Sequence, residues 1–539
     1  MKDRTPHIGC VVVFTILLFC PAMVFAAWGS MAPRNPDFIL HQKKDLGQGK
    51  ANQARPLGYR PSPLNLAHVA PPEGIFPRIK AAHELPVAFD LRPGSLPPVR
   101  DQGNYGTCWA FASLASLEST FLKLRNQSLD FSEWHLAYFA YVDENDRKPG
   151  FSRQSMPGFG ADPVFDQGGS PWQAAAILAR WTGPVSENVR PYQFASPWPP
   201  ISKPLPSDPP LKRLKHVYHL GAEFNEIVVK NTLMIFGAVD VRVVWDDIAY
   251  NDQTHSFYNR DSEGGGHRVA IVGWDDTYPA RNFAVSPEHD GAWLVRNSWG
   301  TGWGENGYFW LSYTDPTLGS PALFLGMDIN EFDTVYQYDP LGWTDNYGYQ
   351  SDTAWFANIF TASESSESFS PEYLQAVSFY TGAPNSLFRV EVWKDVEPDN
   401  PRSGFFAADS EGILSAAGYH TVRLPSHVEL LPGESFAVVV RLRTPGFLFP
   451  IPLEGPIEGY SEKATALPGQ SFASKDGNLW EDVAGVAPNT NVALKAFTSY
   501  RPSSGEGGGG CVVGANQDVT LAFLLFAIIA TLVVRRSSK

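Results

Sequence analysis

Only one of the four cysteines of this 539-residue chain, Cys108, lies between positions 21 and 510. No disulfide can therefore staple the body of the molecule, and the fold must rest on hydrophobic cores large enough to stand alone. The length is sufficient for two or three domains, and 43% hydrophobic against 18% charged residues describes a globular chain. Its net charge of −14 comes without a basic stretch able to follow a phosphate backbone, which argues against a nucleic-acid partner. A lone thiol is either a small hydrophobe in a core or a reactive group, and its surroundings must decide between the two.

The ends of the chain set an expectation for its compartment. Lys2 and Arg4 precede an apolar run from Ile8 to Cys20, with Val24, Phe25 and Ala26 where a signal peptidase would cut, so residues 1–26 read as a secretory signal. Cys20 is a poor lipoprotein site because the bulky Phe19 precedes it. At the other end, residues 501–518 are rich in glycine and contain Cys511. An apolar run from Val519 to Val534 then closes on Arg535 and Arg536. As a helix that run spans about 24 Å, slightly short of a bilayer core, and the two arginines would stay on the cytoplasmic side. Residues 519–539 are thus expected to anchor the protein in a membrane or to be read and removed.

Between these ends the pattern changes twice. Residues 27–84, with "HQKKDLGQGKANQARPLGYRPSPLN", lack amphipathic period and read as a linker or pro-segment. Residues 85–330 mix helix and strand signals. "CWAFASLASLESTFLKL" has helical spacing after a glycine-rich turn, whereas "GAVDVRVVW", "HRVAIVGW" and "GAWLVRNSW" read as strands. Residues 335–500 are all-β in pattern, as in "LFRVEVWKDV", "SFAVVVRLR" and "NVALKAFTSY", and suggest a sandwich.

Cys108 is expected at a helix N-terminus, where the unpaired N–H groups and the helix dipole lower a thiol pKa. A nucleophilic thiol needs an imidazole to take its proton and a further group to fix that ring. Of the twelve histidines, His267 in "EGGGHRVAIVGW" combines an open glycine approach with a rigid strand. Asn297 in "WLVRNSWGTGWGENGYFW" ends another strand and carries an amide able to accept from the imidazole.

Five blocks in order, "QGNYGTCWAF", "FSEWHL", "QGGSPWQAA", "GGGHRVAIVGW" and "RNSWGTGWGENGYF", resemble the signature blocks of papain-like cysteine peptidases. The resemblance covers about Leu85 to Asp328. It implies an α+β fold of two lobes, one helical and one a β-barrel, followed here by the all-β sandwich. It also implies an acyl-enzyme mechanism on protein or peptide substrates with no cofactor or metal. By motif, Cys108 is the nucleophile, His267 the general base and acid, and Asn297 the group that orients the imidazole. Gln102 is a donor to the oxyanion, and Trp299 shields the histidine–asparagine bond. Gly168 and Gly169 pair with an extended substrate, while Pro171 forms a wall of the pocket for the second residue before the cleaved bond.

Several positions depart from the family pattern. Tyr105 and Asp166 stand where relatives commonly keep a disulfide, so rigidity there must come from packing, with Tyr105 a candidate. Arg268 follows His267 where a small residue is usual, and Gly266 replaces the usual Asn or Asp; both put the primed side and the pH optimum in doubt. His267 lies 159 residues after Cys108, beyond the usual span of about 130 to 150. The polar stretch "YVDENDRKPGFSRQSMPGFGADPVF" supplies much of the excess, as a lid or as a surface loop. No long helical pro-segment is evident in residues 27–84.

Residues 335–500 resemble the lectin-like domains attached to prokaryotic papain-like peptidases. The aromatic residues of "DPLGWTDNYGYQSDTAWF" are candidates either for stacking on a carbohydrate ligand or for a core. The tail resembles bacterial C-terminal sorting signals, in which Cys511 would be a processing or lipidation point. The expected protein is a secreted, surface-attached cysteine endopeptidase. The alternatives are an adhesin that binds through its sandwich, and a transferase that uses the same acyl-enzyme.

Overall fold

The computed structural model describes residues 29–44 and 55–502, apart from 77, 95, 146–147, 153–163, 194–202 and 365–369. The proposed signal, Cys511 and the apolar run Val519 to Val534 lie outside the described residues. Among the described residues no helix is long and apolar enough to cross a membrane.

Five helices frame the first half of the chain: α1 (Pro36–Lys44), α2 (Cys108–Arg125), α3 (Glu133–Tyr141), α4 (Pro171–Ala179) and α5 (Glu226–Ile235). Helix α2 is buried on every side from Cys108 to Phe121 and runs through the middle of this half. Three of its hydroxyls are satisfied inside: Ser113 donates to Asp240, Ser116 to the Ala238 carbonyl and Thr120 to the Phe324 carbonyl. Such internal bonds let a polar residue sit in a core without the cost of an unmet donor. The helix ends at Asn126, whose left-handed backbone (φ 53°) returns its N–H to the carbonyls of the last turn.

On one side of α2 pack α3 and α4. On the other lies an antiparallel sheet built from Lys212–His219, Gly319–Asp328, Val239–Trp245, Gly265–Asp275, Ala292–Arg296 and Tyr308–Ser312, in that spatial order. The three strands expected around "VDVRVVW", "HRVAIVGW" and "AWLVR" are all present. Their apolar residues bury one core, with Val241, Val243, Val269, Ile271 and Val295 at 2% exposure or less. The two lobes meet along α2, which places its first residue at their junction.

The second half is a sandwich. One sheet orders Phe405–Leu414, Ser386–Lys394, Ser435–Arg443, Thr353–Thr361 and Ser471–Ser474. The other contains Leu494–Ser499, Glu372–Thr381 and Ala417–Leu430. The latter sheet does not stop at a domain edge: Ala417–His420 pairs antiparallel with His216–His219 of the first half, so one sheet runs through both. Of the aromatic cluster after Asp339, Trp343, Tyr347 and Tyr349 are core residues at 2%, 4% and 7% exposure. Trp355 faces outward with the Arg441 guanidinium over its ring at 5.3 Å.

The shared sheet carries three histidines at the seam: His219 and His420 are buried, His216 is half-buried, and the rings of His216 and His420 lie 5.8 Å apart. Desolvation holds all three neutral, with His219 pushed down to about 3 and His420 to about 4. A histidine depressed by folding is protonated first in the unfolded chain. Its contribution to stability is therefore whole above pH 6.5 and is lost as pH falls toward 4. His420→Gln keeps a donor for the Ala416 carbonyl, which the His420 Nε2 now meets at 2.8 Å. The melting temperature of the unsubstituted chain is expected to fall by several degrees relative to this variant between pH 6.5 and 4; parallel curves would rule out the seam as an acid-sensitive joint.

Residues before the peptidase-like half are tied to both halves. Ser30–Met31 adds a strand to Tyr347–Gly348, Phe38 of α1 packs edge-on against Tyr460, and His68 stacks on Phe447 at 4.2 Å. In place of the disulfide of relatives, Gly106 donates its N–H to Asp166 at 3.2 Å, and Tyr105 packs on Trp134 and Phe165. The described ends of the polar stretch 141–165 bury Tyr141, Phe151 and Phe165. Ser152 bonds to Tyr460 and Glu462, which joins this stretch to the sandwich.

Candidate active site

Cys108 is the first residue of α2, reached through the turn at Gly103 and Gly106, and is 0% exposed. His267 stands near the start of Gly265–Asp275, and Asn297 directly follows Ala292–Arg296, so neighbouring strands present both side chains. The His267 Nε2 and the Asn297 Oδ1 meet at 2.8 Å. Trp299 stacks on the imidazole at 4.9 Å and 18°, itself held edge-on by Trp245 and Trp303. This aromatic cover excludes water from the bond and strengthens it.

The Cys108 Sγ accepts the N–H of Arg268 at 3.3 Å, one residue past the imidazole. His267 Nδ1 is buried without a hydrogen-bond partner among the described residues. Gln102 is buried at 0%, its Oε1 accepting from the Ser298 hydroxyl at 2.6 Å. Its Nε2 donates to the carbonyls of Tyr105, Leu57 and Pro56 at 2.7, 3.0 and 3.2 Å. Gly168 has φ +70°, and a Cβ at Gly169 would lie 2.4 Å from the Trp109 indole, so both positions need glycine. Pro171 opens α4, a position that suits its fixed φ. The structure thus gathers Cys108, His267, Asn297, Gln102 and Trp299 into one place, with Gly168 and Gly169 beside it.

That place is covered. Residues 55–60 cross the cleft as a strap: Gly169 donates to Gly58 O and Arg60 to Gly169 O, both at 2.8 Å, and Tyr59 donates to Gly266 O at 3.1 Å. The pairing of Tyr59 with Gly169 is parallel. The strap passes Gln102 at residues 56–57 before reaching Gly169 at 58–60. This is the reverse of the order implied for a substrate, whose residues beside Gly169 precede the attacked bond. Arg60 is fully buried, bonded to the Gly459 carbonyl and set over the Tyr460 ring, so the sandwich holds the strap down.

Burial under the strap dominates the electrostatics. It pushes the Cys108 thiol up to about 12, against the lowering effects of the Arg268 N–H and guanidinium. It pushes His267 down to about 4, against the raising effect of Asn297. The helix N-terminus alone is expected to lower the thiol. In the covered cleft desolvation outweighs it, and both groups are neutral.

Known proteins are similar to this chain in sequence and in fold. Residues 85–319 match the family model described as papain family cysteine protease, and residues 335–498 that described as lectin like domain. Residues 85–319 are a papain-like cysteine peptidase domain. The peptidase domain is 28% identical over 227 residues to Peptidase 1 of Dermatophagoides farinae, covering 42% of this chain and 60% of the relative. The chain thus spans less than two thirds of that relative's length. Both domains superpose on the cysteine protease and lectin-like domains of Cwp84, a surface layer associated protein of Clostridium difficile. The TM-score is 0.71 at 24% identity, over 87% of this chain and 98% of that one. A second structure, of the clostridial cysteine protease Cwp84 after propeptide cleavage, matches at TM-score 0.65 and 26% identity, over 76% of this chain and 99% of that one.

Three features of the site escaped sequence reasoning. Ser298 clamps the amide of Gln102, Asp240 pairs with Arg268 at 2.7 Å with both side chains fully buried, and "RPLGYR" lies in the cleft. Asp240 was the one with a visible signal, a carboxylate inside the apolar run "VDVRVVW".

Proposed function

We propose that this protein is a secreted, surface-attached cysteine endopeptidase, latent while residues 55–60 fill its cleft. The observation that carries this reading is the His267–Asn297 bond under Trp299, set beside a thiol at the start of α2. Once the strap leaves, water and substrate restore polarity to the cleft, and Cys108 passes its proton to His267. The thiolate attacks the peptide carbonyl carbon to form a C–S bond, and the oxyanion is held by the Gln102 amide and the Cys108 N–H. Collapse breaks the C–N bond as the imidazolium protonates the leaving amine. Water, deprotonated by the same imidazole, then hydrolyses the thioester and restores the thiol.

Asn297 fixes which imidazole nitrogen faces the thiol, and Ser298 fixes the face that Gln102 presents. Gln102→Ala removes one oxyanion donor and is expected to lower kcat about a hundredfold with KM little changed. Equal kcat in the two proteins would take Gln102 out of the reaction.

Attachment at the cell surface is supported by the surface layer association of Cwp84, together with the apolar, arginine-terminated tail of this chain. Cys511 belongs to this proposal as a processing or lipidation point. A carbohydrate ligand of residues 335–498 is supported by their match to the lectin like family and by Trp355 and Trp393, which are half-buried beside Arg441 and Arg402. The decisive experiment treats the purified full chain and its Cys108→Ala variant with a thiol-directed epoxide, before and after acid or limited proteolysis has displaced the strap. Labelling and peptide cleavage are expected only after displacement and only with Cys108 present. No labelling under either condition would remove the peptidase reading.

A further inference from the structure

The strap reports on more than latency, because Tyr59 occupies the place of a substrate residue beside Gly169 and puts its side chain into a pocket. The pocket is possible because residue 266 is glycine: a Cβ there would lie 2.7 Å from Tyr59 Cδ1. On the other side the Arg268 Cζ lies 5.7 Å from the centre of the Tyr59 ring. Arg268 is 1% exposed; its Nε meets Asp240 at 2.7 Å and its Nη2 donates to the Ser320 carbonyl at 3.0 Å. Its Nη1 is buried with no acceptor among the described residues.

Arg242 stands directly across from Arg268 in the strand register. A Cβ at Gly319 would lie 3.2 Å from Arg242 Nη2, so this guanidinium rests over a glycine gap. Among the described residues its side chain makes no hydrogen bond or ion pair. Of the charges acting on the Tyr59 hydroxyl it acts most strongly, followed by Arg268.

The carboxylates of the sheet beside Tyr59 already hold donors. Asp240 takes Arg268 on one oxygen and the Ser113 hydroxyl on the other. Asp315, whose field reaches Arg242, accepts from the Asn259 N–H and from the N–H and hydroxyl of Thr317. Asp37, which also acts on Tyr59, belongs to α1.

We infer that this pocket, formed by Gly266, Arg268 and Arg242, selects an acidic side chain on the substrate residue that pairs with Gly169 and rejects lysine and arginine. The inference rests on the proposed peptidase reaction. Unspent N–H donors on Arg268 and Arg242 give a carboxylate partners at once, whereas an ammonium or guanidinium meets two guanidinium groups and finds the sheet's own carboxylates, Asp240 and Asp315, already holding donors. Tyr59, an aromatic ring ending in an oxygen, is the neutral occupant that the fold supplies for itself. Arg268 and Asp240 hold each other and build the floor; Arg242, half-buried and unpaired among the described residues, reads the charge.

The test is cleavage of a peptide set that varies only this position among Glu, Gln, Tyr, Leu, Lys and Arg, using the full chain after strap displacement. Glu is expected to exceed Lys at least tenfold in kcat/KM, with Gln between. Arg242→Gln, which keeps the length of the side chain, should narrow the ratio, and Arg242→Glu should invert it. Alkylation of Cys108 by the epoxide, run in parallel, reports that each variant is folded and competent. Cleavage with Glu and Lys within about twofold of each other, or a ratio that neither variant moves, overturns the inference and leaves the reaction standing. Absence of cleavage with any peptide, together with absence of labelling, overturns the reaction itself.

Discussion

At pH 7 the full chain is expected to be alkylated by iodoacetamide at Cys108 about 10³-fold more slowly than the same chain carrying Gly58→Ala. Alkylation proceeds through the thiolate. A thiol pushed up to about 12 is ionised at pH 7 in roughly one molecule in 10⁵, against a few in 10² for an ordinary cysteine. Gly58 has φ +141°, and a Cβ there would lie 2.3 Å from the Gly106 carbonyl carbon and oxygen, so alanine cannot be seated without lifting the strap. Lifting it rehydrates the thiol and frees the Gln102 amide from the Pro56 and Leu57 carbonyls, with Cys108, His267, Asn297 and Gln102 all unsubstituted. The rate for the full chain should still be climbing at pH 10, whereas that of the variant should level off near or below about pH 9. Superimposable profiles would show that the strap does not control the thiol.

The imidazole adds a sign to this. His267 is held down to about 4 when covered, so between about pH 6.5 and 4 the open cleft binds a proton that the covered one does not. Acid therefore favours opening, and the effect saturates below about pH 4. Exchange protection of the Tyr59 and Arg60 amides, which donate to Gly266 and Gly169, should fall over that window after correction for the intrinsic rate. Protection that stays constant would sever the imidazole from latency.

Cys108→Ala and His267→Ala, each placed in the Gly58→Ala chain, are expected to lower peptide turnover by at least about 10⁴, and the double variant to be no worse than either single one. Residues that act as a unit lose their joint contribution when any one goes, and only binding and the oxyanion donors remain. Asn297→Ala should cost less, since it frees the ring to rotate and removes no reacting atom; Trp299 still stacks on the imidazole at 4.9 Å. Losses that multiply in the double variant would mean that Cys108 and His267 act separately.

How much was legible in the sequence depended on how local the cause was. The helix at Cys108, the strands at His267 and Asn297 and the sandwich strands follow from patterns of apolar residues a few positions apart, and each is present where expected. The absence of a disulfide was visible as well, including the packing of Tyr105 in its stead. The strap was not legible, because "RPLGYR" has no period and its order comes from carbonyls and N–H groups of Gly169 and Gly266, more than a hundred residues away. The continuity of one sheet through both halves was hidden for the same reason: the pairing of His216 with His420 follows from no property of either strand alone.

Cys108, His267 and Asn297 could thus be singled out in one dimension from their local settings, and Gln102 from the family resemblance. Their state could not. Whether Cys108 is a thiol or a thiolate depends on how much water reaches it, and that depends on a segment some fifty residues upstream held down by Tyr460 from the far end of the chain. Arg268 looked like a departure from pattern in the sequence. In the fold it is the partner of Asp240 and, with Arg242, a wall of charge around Tyr59, since burial and three-dimensional neighbours set the worth of a charge.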